Sequence, residues 1–392
     1  MHNFFINYPQ LVWPIVLLLA WSFGEAGTYL TKIPRITFYM LFGFIFAKHQ
    51  IGPLPTIDHS GILSLVNIIA GLILFKFGYR INLRWIWSHP IILVTSLVES
   101  GITFIAVFML SRLFGISILP SLEFASLFMA TSPFVIMNIV DNEQSAGQVT
   151  ERILHLTALN CILAIFVFKL ISGLMVFEKS GSVWQATSAS FIMIVLSTIL
   201  GIGSALLLSI IIKRSKLMAH KSIILLSIII ILVVGIAGSM HISSIIAALS
   251  FGLTLRHMKI AMSQNSRNFG ALENLLTLVL FIVIPVNLDW HNLGSFLGLG
   301  ISLFFSRLII KTIVVALFSY NCGISVQKGI LTGLALTPIS IFSILLLDQS
   351  FAVTAALNQE FLVISGVILF LELIGPCFTQ YALIKARETG PD

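Results

Sequence analysis

Charge is what this sequence has least of. Asp, Glu, Lys and Arg make up 9% of its 392 residues, against about 25% in soluble domains. Cysteine is scarce as well: Cys161, Cys322 and Cys377 lie far apart in apolar surroundings. They show no CxxC spacing, so neither a disulfide framework nor a zinc site is expected. Also missing are an HExxH or other paired-His site, a GxxxxGK nucleotide loop and a Ser-centred nucleophile elbow. These absences argue against an enzyme, and no cofactor or metal is expected. The N-terminus carries neither a basic n-region nor a small-residue cleavage site, so the first apolar run is expected to stay as a span.

Apolar residues fill the space that charge leaves. They reach 58% of the chain, above the 45–50% or so of soluble domains, and mean hydropathy is +1.05. The apolar runs are long and continuous rather than short and alternating, which selects helices over a membrane barrel. The expectation is an all-α polytopic membrane protein. At about 20 residues per span, 13 helices use roughly 260 residues and leave only short loops. The spans are read at about 10–30, 35–49, 60–80, 90–113, 118–140, 152–177, 185–212, 220–239, 241–257, 270–288, 294–320, 327–347 and 360–384. The loops leave no room for a soluble regulatory domain, so residues 1–392 are expected to form a single membrane domain.

The net charge of +7 is no sign of nucleic-acid binding, because excess Lys and Arg in such a chain marks cytoplasmic loops. With the N-terminus outside, the inner loops and tail hold 15 of the 22 basic residues. Lys32, Arg80, Arg84, Arg152 and the cluster Lys213, Arg214, Lys216 and Lys221 are among them. The outer loops hold only Lys48, Arg112 and Lys179, and four more lie inside spans. That segregation supports an odd span count with the C-terminus in the cytoplasm. Short loops and the lack of a targeting signal fit a bacterial inner membrane.

Two spans are interrupted. The fifth carries Thr131-Ser132-Pro133 at mid-membrane, and the twelfth carries Thr337-Pro338. Proline removes an amide and clashes one turn back, freeing carbonyls and exposing half-helix ends. Such breaks at matching positions point to inverted repeats with a binding site between them. The two are seven spans apart, an odd number, so the repeats run in opposite directions. Repeat 1 covers about 10–177, a linker helix about 185–212, and repeat 2 about 220–384.

Charges at membrane depth are costly and face an interior pathway. Arg307 and Lys311 are four residues apart, on one helix face. Glu99, Glu123 and the dipole ends of the broken helices are the groups available to compensate them, in a structural or a functional role. Glu25, Lys76, Lys169 and Glu273 sit near span ends and are expected to snorkel. His155 reads as an interfacial polar residue. Glu372, before Ile374-Gly375-Pro376, is placed to tie down a helix break.

The run from Phe124 to Phe168 contains Thr131-Ser132-Pro133, then Gly147-Gln148-Val149-Thr150-Glu151, then Thr157-Ala158-Leu159-Asn160-Cys161. It resembles the cation/proton antiporter-2 family of the sodium/hydrogen exchanger superfamily, with its Thr-Ser-Pro break, GxVTE-like loop and TALND-like span. IPRITFYMLFGFIFA, GLALTPISIF and LELIGPCFTQYAL extend the likeness along nearly the whole chain. The resemblance implies a 13-helix fold with crossed broken helices, a dimerisation domain and a core domain that moves elevator-like, and a homodimer. It implies exchange of sodium, potassium or lithium for protons across the bilayer. It places the transport site at Thr131, Ser132, Pro133, Asn160, Cys161, Thr337 and Pro338, supported by a basic residue of the Arg307–Lys311 span.

The sequence departs from that family at position 161. Where an aspartate usually binds cation and proton in turn, it has Cys161. Alkali cations are hard and take oxygen ligands, whereas sulfur suits soft metals. Thr131, Ser132, Asn160, Thr337 and freed carbonyls supply oxygens, but none titrates. Glu99 and Glu123 are then the substitutes for coupling, with Lys311 as a third. The alternatives are a transporter of the same fold for an anionic or other solute, drawn by Arg307 and Lys311, and a non-transporting sensor or partner.

Overall fold

The computed structural model describes residues 9–47, 59–180, 183–214, 222–240, 242–258, 271–286, 297–340, 342–344, 346 and 358–390. The described regular structure is helical, in fifteen elements. They are α1 Pro9–Thr31, α2 Arg35–Ile45, α3 His59–Arg80, α4 Leu83–Ser88, α5 Pro90–Leu113, α6 Ile118–Met129, α7 Pro133–Asn142 and α8 Gln148–Ser180. Then follow α9 Val183–Arg214, α10 Ser222–Ser239, α11 Ser244–His257, α12 Ala271–Val286, α13 Leu297–Phe318, α14 Val326–Ala335 and α15 Asn358–Lys385. Seven described segments are long and apolar enough to cross a bilayer, and three shorter apolar helices accompany them.

The thirteen expected spans map onto these helices in order. The fifth is split into α6 and α7. The twelfth is α14, a non-helical stretch through Ser340, and helical residues at 342–344 and 346. One element was not foreseen: α4, six residues long, too short to leave a period in the sequence. Asn82 caps it, its side chain accepting from the Arg84 amide at 3.1 Å. Lys48, Lys216, Lys221, Lys259 and Arg267, and the side chains of Lys179, Arg214 and Glu273, lie outside what the structure describes.

Two packed groups of helices emerge. In one, α3, α9, α10 and α11 share a cluster that includes Phe75, Leu208, Leu226, Ile230 and Phe251. Gly252 of α11 lies so close to α3 that a Cβ there would strike the Phe75 carbonyl, so glycine sets the helix separation. In the other, α5, α6, α7, α8, α13, α14 and α15 surround the two breaks. Large apolar side chains on α1, α5, α9, α10 and α13 face outward, Leu18, Leu97, Ile199, Ile228 and Ile309 among them. An apolar exterior around a polar interior suits a lipid solvent.

Glu388, beyond α15, fastens the start of α8. The Glu388 carboxylate accepts from the Val149 and Thr150 amides, each at 2.9 Å, and from the Thr150 hydroxyl at 3.0 Å. A carboxylate on the free amides of a first helical turn is stabilising by charge and by hydrogen bonding. Gly147 stands against that carboxylate, where a side chain would collide with it. The GxVTE-like loop is therefore a docking point for the chain's own C-terminal segment.

Candidate functional site at the crossed helix breaks

The first break follows from three residues. Pro133 cannot continue α6 because it has no amide to donate and its ring clashes with the preceding turn. It suits the first position of a new helix instead, and Ser132 caps that helix, its hydroxyl accepting from the Val135 amide at 3.4 Å. The second break follows from Thr337-Pro338, where the residue before proline is driven out of the helical region.

The two breaks meet. The Ser132 amide donates to the Pro338 carbonyl at 3.1 Å, and the Thr131 hydroxyl donates to the Leu336 carbonyl at 3.4 Å. Non-helical backbone survives at membrane depth only where protein satisfies its polar groups. Arg307 does most of that here. Its guanidinium, fully buried, donates to the carbonyls of Phe128 and Ala130 on one break and of Leu336, Thr337 and Pro338 on the other. These carbonyls lie at or just beyond the C-terminal ends of α6 and α14, the negative ends of two half-helix dipoles.

Lys311, one turn further along α13, has a different partner. Its ammonium pairs with the Glu99 carboxylate of α5, and neither side chain has any exposure. The Asn160 amide donates to the other Glu99 oxygen at 2.8 Å. Asn160 Oδ1 accepts from the hydroxyls of Ser96 at 2.7 Å and Ser100 at 3.1 Å. Thr131 Oγ1 lies 3.4 Å from both Lys311 Nζ and Asn160 Nδ2. Cys161, on the next residue of α8, donates its S–H to the Thr131 carbonyl at 3.0 Å.

Thr131, Asn160, Cys161, Glu99 and Lys311 thus form one connected network. Ser132, Thr337, Pro338 and Arg307 form the crossing beside it, with Pro133 starting α7. Glu123 is not brought to this network. It lies earlier in α6, buried, where the Ser172 hydroxyl donates to its carboxylate at 3.4 Å. Its distance along the helix from the break separates it from Lys311.

Several residues escaped the sequence reading. Ser96, Ser100 and Thr103 share one buried face of α5 with Thr95 and Glu99. Their spacing of three and four is a polar stripe on an apolar span, a signal that was there to find. Lys76 does not snorkel. It is 9% exposed and its ammonium meets Asp141 of α7 at 2.7 Å, with Arg80 on the other Asp141 oxygen. His155 is buried rather than interfacial: Nε2 accepts from the Asn82 amide at 3.2 Å and its ring stacks on Trp85. Glu25 pairs with Arg35 at 2.9 Å on a partly exposed surface. Glu372 ties no break in its own span, since α15 runs unbroken through Gly375 and Pro376; it receives the Ser132 hydroxyl of the first break at 2.9 Å.

A cavity of about 440 Å³ lies between α1, α2, α7 and α12, lined in part by Trp21, Tyr39, Asn138, Asn142, Asn274 and Thr277. Asn138 is five residues beyond Pro133, about 7.5 Å along α7 from the break. Among the described residues no cluster of three or more His, Cys, Asp or Glu could hold a metal ion.

Comparison with known proteins agrees with this fold. The family model for the sodium/hydrogen exchanger transmembrane region matches residues 15–385. A structure of the sodium proton antiporter MjNhaP1 from Methanocaldococcus jannaschii at pH 8 superposes with a TM-score of 0.68. It is 15% identical in sequence, over 98% of this chain and 96% of that one. An electron-microscopy structure of MjNhaP1 gives the same TM-score at 17% identity, over 96% of this chain and 98% of that one. Among curated proteins no sequence matches.

Proposed function

The chain belongs to the sodium/hydrogen exchanger family, and from that premise we propose that it is a monovalent cation:proton antiporter whose coupling site is built on Glu99 and Lys311. The observation that carries this reading is their ion pair, buried at the crossed breaks with Asn160 and Thr131 around it. A buried carboxylate held by a displaceable ammonium can serve as a site for two competing cations.

The cycle then balances. In the described arrangement Glu99 is paired with protonated Lys311. An alkali cation entering the site takes the Glu99 carboxylate and the Thr131 oxygens as hard ligands. Lys311, displaced, releases a proton to water, which a buried lysine can do and an arginine cannot. One positive charge has replaced another, and the site's net charge is unchanged. Cys161 stands where the related family carries an aspartate, and serves here as a hydrogen-bond donor to the Thr131 carbonyl rather than as a ligand. The reading thus relocates the coupling carboxylate from α8 to α5.

In the same proposal, the group around the breaks moves elevator-like against the group of α3, α9, α10 and α11, in a homodimer. The N-terminus faces outside, the C-terminus faces the cytoplasm, and the membrane is a bacterial inner one. The cavity beside α7 supplies the cytoplasmic approach. The sequence divides into repeat 1 at about 10–177, a linker helix, and repeat 2 at about 220–384. The anionic-substrate alternative loses its motive, because the two cations that prompted it are already engaged, Lys311 by Glu99 and Arg307 by five carbonyls.

Proton release on binding tests the reading at the site itself. Adding sodium, potassium or lithium to the purified, lightly buffered protein should release at least one proton per cation bound. Glu99→Gln should release none there. Equal release from the wild type and Glu99→Gln would remove Glu99 from the coupling site.

A further inference from the structure

We propose that Glu372 is a second proton-carrying group of this cycle, so that two protons move for each cation. The proposal rests on the antiport reading and extends it to the opposite flank of the crossing.

Glu372 has no solvent exposure. Its Oε1 accepts one neutral donor, the Ser132 hydroxyl, at 2.9 Å, while among the described residues Oε2 has no hydrogen-bond partner. Glu99, by contrast, has an ammonium and an amide on its carboxylate. A bare carboxylate anion with one hydroxyl for support is costly to bury, and the neutral acid far less so. Glu372 therefore holds a proton in the described arrangement. Its place is defined by close packing: Gly375, one turn on, lies against Pro338, where a Cβ would meet the proline Cα at 2.7 Å. So α15 presents Glu372 to the seam where Ser132 and Pro338 join.

The groups around it decide what it can do. From α13 the facing charge is Arg307. From α2 comes Thr37, whose hydroxyl donates to the Leu373 carbonyl at 3.3 Å. On α7 the carboxylate Asp141 is at the far end, held by Lys76 and Arg80. On α14 Lys328 is at the first turn, beside Gln148 and Glu388. On α15 itself Cys377 lies five residues further along. Arg307 is thus the charge available to an ionised Glu372, and its guanidinium is spent on break carbonyls.

That links the two flanks. The cation at Glu99 and Thr131 stands beside the Leu336 carbonyl, which Thr131 and Arg307 share, and competes with Arg307 for it. Arg307 then turns toward Glu372, whose O–H bond breaks; the electron pair stays on the carboxylate and the proton goes to water. With the proton from Lys311, two protons leave for one cation bound, and net charge moves in each cycle.

Two readouts test this. Difference infrared spectroscopy of the wild type at neutral pH should show a protonated-carboxyl C=O band that shrinks when sodium, potassium or lithium is added. Glu372→Gln, the amide isostere of the neutral acid, should lack it. In proteoliposomes, the proton:cation ratio from reversal potentials should be two in the wild type and one in Glu372→Gln, which becomes insensitive to membrane potential. Glu372→Asp should restore the ratio of two with a displaced pH profile. No such band in the wild type, a band that ignores cations, or an unchanged ratio in Glu372→Gln overturns the proposal while leaving antiport at Glu99 intact. A wild type that moves no proton for any of the three cations overturns the antiport reading, and this proposal with it. If Glu372→Gln does not fold, the wild-type band and the Glu372→Asp profile carry the same decision.

Discussion

Lys311 and Glu99 are joined in an ion pair with zero exposure on both side chains, one helical turn from Arg307, whose hydrogen bonds among the described residues all go to backbone carbonyls. Removing one member leaves an uncompensated buried charge, which costs about 3–5 kcal/mol. Removing both in favour of apolar residues of similar volume is close to neutral. Glu99→Gln should therefore lower the thermal midpoint of the solubilised protein clearly. The double variant Glu99→Leu with Lys311→Met should recover most of that loss and still move no protons. Recovery of transport along with stability would make the pair a structural bolt.

Arg307 joins the two breaks through five carbonyl acceptors. Lysine offers a compact ammonium in place of the planar fork and cannot reach them all. Arg307→Lys should destabilise by more than about 2 kcal/mol, since each buried carbonyl left unsatisfied costs about 1–3 kcal/mol. Anions should bring no thermal stabilisation of the wild type, because the guanidinium has no free face for them. A midpoint that rises with carboxylates or phosphate would revive an anionic substrate.

How much of this was legible beforehand depends on range. The breaks were readable because Thr131-Ser132-Pro133 and Thr337-Pro338 carry their own physics: a residue that cannot continue a helix beside one that caps the next. The shared face of Arg307 and Lys311 followed from a spacing of four. What could not be read was which partner each charge would find. Lys76 and Asp141 are 65 residues apart, Ser132 and Glu372 are 240, and Val149 and Glu388 are 239. Each pairing depends on how helices pack, and a single sequence holds no period that reports it. Glu99 and Glu123 looked equivalent as candidates, and only the position of α5 against α13 separates them.

Cys161 offers a milder test. Its S–H donates to the Thr131 carbonyl at 3.0 Å, and serine can make the same bond. Cys161→Ser should keep transport and change stability by about 1 kcal/mol or less. Cys161→Asp places a carboxylate beside that carbonyl and two steps from Glu99, so it should bind alkali cations at least as well as the wild type. Cation titrations of both variants by thermal shift would show this, and loss of response in Cys161→Ser would assign the thiol a role of its own.

Asp141 joins α7 to Lys76 and Arg80 of α3, across the boundary between the two helix groups. If those groups slide past each other, this partly exposed link must open. Asp141→Asn should change the transport rate only a few-fold, since such pairs contribute about 1 kcal/mol, and should make the rate less dependent on ionic strength. Initial rates at low and high salt measure it. A complete loss of transport would place Asp141 in the site itself.

The central claim is that cation and proton compete at Glu99. Proteoliposomes loaded with a pH-sensitive dye and pulsed with sodium, potassium and lithium across a range of pH test it most directly, with the wild type beside Glu99→Gln and Cys161→Asp. The account predicts proton movement in the wild type for at least one cation, none in Glu99→Gln, and an equal or larger response in Cys161→Asp. A silent wild type with a responsive Cys161→Asp would contradict it, showing that Glu99 is not the coupling carboxylate.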